Sequence, residues 1–112
     1  LYLQVRNQII HGIATLQLQE GDELPSVRQM ADEIGINMHT VNKAYTVLKQ
    51  EGFIQLDRRK GAVISLDMDK LRELQSMREQ MKGILAKGIC KGICKDEVYE
   101  LVNEIYQEYG GE

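Results

Sequence analysis

The feature that most constrains this chain is a three-residue interruption, Gly35-Ile36-Asn37, between two short amphipathic runs. Before it, Val27, Met30, Ala31 and Ile34 recur at helical spacing. After it, Val41, Ala44, Tyr45 and Leu48 do the same. Helices this short are marginal alone in water, so each needs a packing partner. Gly35 suits a left-handed C-cap and Asn37 suits an N-cap. Ser26, with Gln29 three residues on, forms a capping box at the start of the first run, and Gly52 closes the second. Two capped helices with a three-residue joint must turn sharply and share one core. This is helix-turn-helix punctuation.

The flanks extend the pattern. Residues 2–16 place Val5, Ile9, Ile13 and Leu16 on one helical face. "QEGDELP" (19–25) reads as a turn closed by a proline. "FIQLD" (53–57) and "AVISL" (62–66), separated by "RRKG", read as a β-hairpin. Three helices followed by a hairpin is the order of a winged helix-turn-helix. A long helix is expected over 67–89, capped by Asp67, and another over 95–109. The expected fold class is therefore mainly α with a small β-hairpin. It comprises a winged helix-turn-helix domain of residues 1–66 and a helical tail of residues 67–112.

Charge narrows the function classes. The formal net charge of −3 argues at first against nucleic acid. Its distribution argues the other way, since residues 1–66 are balanced and the whole acidic excess lies beyond them. Arg58-Arg59-Lys60 is the one basic triplet. A locally basic face suffices for DNA, because only phosphates within about 10 Å of a cation feel it strongly. No apolar run approaches the ~18 residues that span a bilayer. The N-terminus shows no signal-peptide pattern. Together with two cysteines too few for a secreted scaffold, this gives a cytoplasmic expectation with no membrane partner.

The second helix carries Met38, His39, Thr40, Asn42 and Lys43 opposite its apolar face. An α-helix fits the DNA major groove, and its first turns meet base edges. Asparagine can contact adenine in a bidentate manner, and threonine or methionine can meet a thymine methyl. Arg59 and Lys60 at a wing tip would suit a minor groove or the phosphate backbone. No phosphate loop, activated nucleophile or framed carboxylate pair is present in the sequence, so no enzyme activity and no cofactor are expected.

"LPSVRQMADEIGINMHTVNKAYTVLKQEGFI" (24–54) resembles the DNA-binding domain of the GntR family of bacterial transcription regulators. The matching features are the Leu-Pro-Ser-x-Arg start, Thr40-Val41 followed by Ala44, and the Leu48-to-Phe53 exit. The likeness runs from "LYLQVRNQI" to "KGAVI". It implies DNA contacts from Arg28 in the first of the two helices, and from Asn37, His39 and Thr40 in the second. Ser26 belongs to the same candidate surface. Met38 stands where many members have arginine, and Asn42 where many have arginine or lysine. In the wing, Arg59 takes the place of the first glycine of the family's Arg-Arg-Gly-Lys-Gly pattern, and Gly61 is retained.

After residue 66 only a short tail remains, too small for the effector domains of the larger GntR subfamilies. Its two helices resemble the YtrA-type subfamily, in which such a tail serves dimerisation. Leu74, Met77, Met81 and Ile84 on one helix, and Val98, Leu101, Val102 and Ile105 on the other, are the candidate dimer residues. Two helices with such apolar stripes cannot bury them alone. The resemblance implies double-stranded DNA and a second copy of the chain as partners, repression as the output and transporter operons as targets. Any small-molecule effector is unknown.

Cys90 and Cys94 lie four apart with no third ligand at metal spacing, so a plain connector is expected and no metal. Rival readings are a redox- or ligand-responsive regulator using the two cysteines, and a winged-helix protein-interaction module.

Overall fold

The computed structural model describes residues 1–110. It contains α1 (Tyr2–Ala14), α2 (Val27–Ile34), α3 (Met38–Gln50), β1 (Ile54–Asp57), β2 (Gly61–Ile64), α4 (Lys70–Cys90) and α5 (Lys95–Glu108). The chain divides into two compact units, Leu1–Asp67 and the segment from Met68 on.

In the first unit α3 is the hub. Its Val41, Ala44, Tyr45 and Leu48 are buried. Around them pack Val5 and Ile9 of α1, Ala31 of α2, Leu24, and Ile54, Ala62 and Ile64 of the hairpin. β1 and β2 pair antiparallel, with Ile54 opposite Ile64 and Asp57 opposite Gly61.

Local chemistry sets the ends of α2 and α3. Ser26 Oγ accepts from the Gln29 N–H at 3.1 Å, and Gln29 Oε1 accepts from the Ser26 N–H at 3.2 Å. Gly35, at φ 70, closes α2 in the left-handed conformation that a side chain disfavours. Asn37 Oδ1 then accepts from the His39 N–H at 2.7 Å and starts α3.

Two sequence expectations are revised and one is extended. Leu16 does not continue α1, which ends at Ala14. Thr15 Oγ1 donates back to the His11 carbonyl at 2.8 Å, and Leu16 follows at φ 64 with 73% of its surface exposed. The 19–25 turn does more than reverse the chain. The Gly21 and Leu24 N–H groups donate to the Ile64 and Ala62 carbonyls, so this segment covers the free edge of β2. Finally, Asp69 and not Asp67 caps the long helix, accepting from the Arg72 N–H at 3.1 Å. Asp67 belongs to the first unit, where its N–H donates to the Gly52 carbonyl at 2.8 Å. Its Cβ would lie 2.7 Å from a Cβ at Gly52, whose φ is +83. Only glycine fits that crossing.

In the second unit no residue of α4 or α5 is buried. Cys94 is the N-cap of α5, and its N–H donates to Glu97 Oε1 at 3.0 Å. That bond and the thiol hold the Glu97 carboxyl below its ordinary pKa.

Candidate DNA-binding surface

One hydrogen bond ties α3 to the start of α2. The Tyr45 hydroxyl donates to the Pro25 carbonyl at 2.7 Å, joining the buried side of α3 to the residue just before the α2 cap. Burial, then the charge of Glu33, pushes the Tyr45 phenol up to about 12. It therefore stays protonated, and able to donate, at all ordinary pH. Arg28 lies one residue past the start of α2 with its side chain exposed. Ser26 is spent mainly on the cap, so its chief contribution to the surface is to hold the α2 N-terminus.

On α3, Met38 is 44% exposed; His39, Asn42 and Lys43 are exposed and Thr40 is half-buried. His39, Thr40 and Lys43 come together with Leu1 and Tyr2 around one shallow hollow of about 330 Å³. The spacing explains this, since residues three and four apart share a helix face. Asn37 has one side-chain acceptor committed to its cap, which leaves its amide N–H groups for other partners.

Lys43 Nζ lies 4.3 Å from the centroid of the Tyr2 ring, so α1 reaches the exposed face of α3. A second tie joins α1 to the end of α3. Arg6 Nε and Nη2 donate to the two Glu51 oxygens at 2.6 and 3.0 Å. Neither Tyr2 nor the Arg6–Glu51 pair was singled out from the sequence. The pairings span tens of residues, and no local pattern marks them.

The wing tip has its own organiser. Asp57 Oδ1 accepts from the N–H groups of Arg59 at 2.7 Å and Lys60 at 3.1 Å. These two bonds, the Arg59 one first, hold the Asp57 carboxyl below its usual pKa. The turn leaves Arg58, Arg59 and Lys60 exposed, and Gly61 completes it at φ +80. An aspartate opening a tight turn is a known signal for such side-chain-to-backbone bonding, and it was present at Asp57.

A model of the bacterial regulatory proteins of the gntR family matches residues 1–64. This chain belongs to the GntR family. The chain is 31% identical over 111 residues to the transcriptional repressor YtrA of Bacillus subtilis, covering 96% of this chain and 82% of the relative. Among solved structures, YtrA from Sulfolobus acidocaldarius is 36% identical with a TM-score of 0.57, covering 96% and 88% of the two chains. A transcriptional antiterminator from Listeria monocytogenes EGD-e is 31% identical with a TM-score of 0.87, covering 99% and 85%. The chain is thus a YtrA-type GntR regulator, a DNA-binding protein of a family of transcription regulators rather than enzymes.

The tail of this GntR chain presents apolar surface along both helices. A trough of about 930 Å³ on α4 is lined by Leu71, Leu74, Met77, Met81 and Leu85, with polar Gln75, Arg78 and Lys82 at its sides. Ile84, grouped from the sequence with Leu74, Met77 and Met81, lies outside the trough and is 66% exposed. A second groove, of about 390 Å³, runs between α4 and α5 and includes Met81, Leu85, Ile93, Val98 and Val102. Leu101 and Ile105 stand exposed on α5. Cys90 and Cys94 are both exposed. No group of three or more His, Cys, Asp or Glu side chains is arranged to hold a metal ion among the described residues. No helix among them is long and apolar enough to cross a membrane.

Proposed function

We propose that this chain is a homodimeric repressor that binds a palindromic operator in the cytoplasm. The reading rests above all on the exposed face of α3, where Met38, His39, Thr40, Asn42 and Lys43 stand out from a helix whose other face is fully packed. In it, residues 38–43 enter the major groove, Asn37 and Thr40 supply polar contacts, and Arg28 approaches from α2. Arg58, Arg59 and Lys60 follow the backbone or the minor groove, with Gly61 shaping the turn.

Dimerisation falls to the tail, residues 67–112. Leu74, Met77, Met81 and Ile84 on α4, and Leu101, Val102 and Ile105 with the half-buried Val98 on α5, leave apolar surface that a partner copy would bury. Two recognition helices on a two-fold axis then read two half-sites. Repression is supported by the name of the Bacillus subtilis relative. A transporter operon as target follows from the YtrA-type likeness alone.

Selection of bound duplexes from a random library, followed by sedimentation of the complex, tests the reading. The expected result is one enriched inverted repeat bound by two chains. Recovery of unrelated sequences, or of a single half-site bound by one chain, would overturn it.

A further inference from the structure

We infer that Tyr2 is a positioning residue of the DNA surface: its ring holds the Lys43 ammonium beside the hollow formed with His39 and Thr40, where that charge meets a backbone phosphate. The inference rests on the DNA-contact reading of α3 given above.

The geometry supplies the argument. Lys43 Nζ lies 4.3 Å from the Tyr2 centroid, within the range where a ring face attracts a cation. The hollow next to it is lined by Leu1, Tyr2, His39, Thr40 and Lys43, and among the described residues no carboxylate lines it. The Tyr2 ring is itself fixed, because it packs partly buried against the hydrophobic core. The bidentate Arg6–Glu51 pair ties α1 to the end of α3 at a second point, so α1 resists rolling about the first.

An unrestrained lysine samples many rotamers, and ordering it on a ligand costs affinity. A ring that already holds the ammonium lowers that cost, which is preorganisation. The ammonium is a point charge with rotating donors, so it suits a phosphate better than a bidentate base edge. Lys43 also sits one turn on from His39 and Thr40, on the side of α3 that α1 approaches.

The test is a double-mutant cycle on the full chain. It uses the duplex recovered by selection and a scrambled duplex, with a salt series on each. Lys43→Ala should weaken binding to both duplexes by similar factors and lower the salt slope by about 0.9, as loss of one phosphate contact does. Tyr2→Leu should weaken binding by about two- to five-fold, the scale of an exposed cation–π contact. That loss should vanish in the Lys43→Ala background. Tyr2→Phe keeps the ring and should rescue both the affinity and the coupling.

A purely structural Tyr2 would give the same loss with or without Lys43, and additive effects of that kind overturn the inference. So does a Tyr2→Phe variant as weak as Tyr2→Leu, which would place the hydroxyl itself on the DNA. A Lys43→Ala loss confined to the selected duplex would assign Lys43 to a base and also overturn it. Failure of the wild-type chain to bind either duplex sinks the DNA-contact reading as well. Binding by the wild type with an additive cycle sinks the Tyr2 inference alone.

Discussion

Tyr45→Phe removes a single oxygen from the junction of α2 and α3 and leaves the ring in the core. What is lost is the hydroxyl bond to the Pro25 carbonyl, 2.7 Å long. Such a bond contributes about 0.5–1.5 kcal/mol net, and a fully buried orphan carbonyl adds desolvation to the loss. Pro25 is only half-buried, so water can replace part of the bond. The expected loss is therefore about 1 kcal/mol, which for a domain of this size lowers Tm by roughly 4–8 °C. A second signature lies in alkaline solution. The folded phenol titrates at about 12 against an ordinary 10.0. Its pKa is raised, so its contribution is complete below the unfolded value and is lost as pH rises between those limits. The phenylalanine variant lacks that loss, which at about 1.4 kcal/mol per pH unit exceeds the neutral-pH gap, so the gap between the two proteins should close and then reverse across this window. Circular dichroism melts at neutral and alkaline pH measure both effects. An unchanged Tm at neutral pH, or a gap that stays constant above pH ~10, would refute the reasoning.

Arg28→Ala and Thr40→Ala should each weaken binding to the selected duplex by about 1–3 kcal/mol, as loss of a specific contact does. Unchanged affinity in both folded variants would remove that face from the interface. Neutralising Arg59 and Lys60 together should lower the log K against log salt slope by up to about 0.9 per lost phosphate contact. Parallel salt titrations for wild type and variant would count against it. Asp57→Ala should speed amide exchange at Arg59 and Lys60 while leaving the melting of the core in place. In the wild type that protection should persist at and above the ordinary carboxylate range, because the Asp57 pKa is depressed, and fade only as pH falls through its lowered value. Equal exchange in the two proteins would show that the wing turn holds without it. Removing residues from Met68 on should leave a folded monomer that binds its operator far more weakly, since the second contact is then no longer intramolecular. A dimeric truncated chain by sedimentation would move the interface out of the tail.

The sequence by itself determined the helix-turn-helix. Ser26, Gln29, Gly35 and Asn37 act through bonds to groups within four residues, so their spacing alone places the ends of α2 and α3. The wing was legible for a similar reason, since alternation and a turn are local signals. The long helix was legible by its periodicity but not by its cap. Two aspartates two residues apart are equivalent in sequence, and only the Asp67–Gly52 backbone bond assigns Asp67 to the first unit and leaves Asp69 to cap α4.

The exposed groups on α3 were also readable, because the buried face is defined by spacing and what remains must point out. How they are held was not. The Tyr45–Pro25 bond, the Lys43–Tyr2 contact and the Arg6–Glu51 pair join residues 20 to 45 positions apart. Each depends on how α1, α2 and α3 pack, which no local propensity encodes. In the tail the same limit appears in another form. Periodicity marks the apolar stripes, but whether a stripe becomes core depends on what covers it. In a single chain α4 and α5 bury none of their residues, because a 3.6-residue repeat specifies a face and leaves its partner to tertiary or quaternary contact.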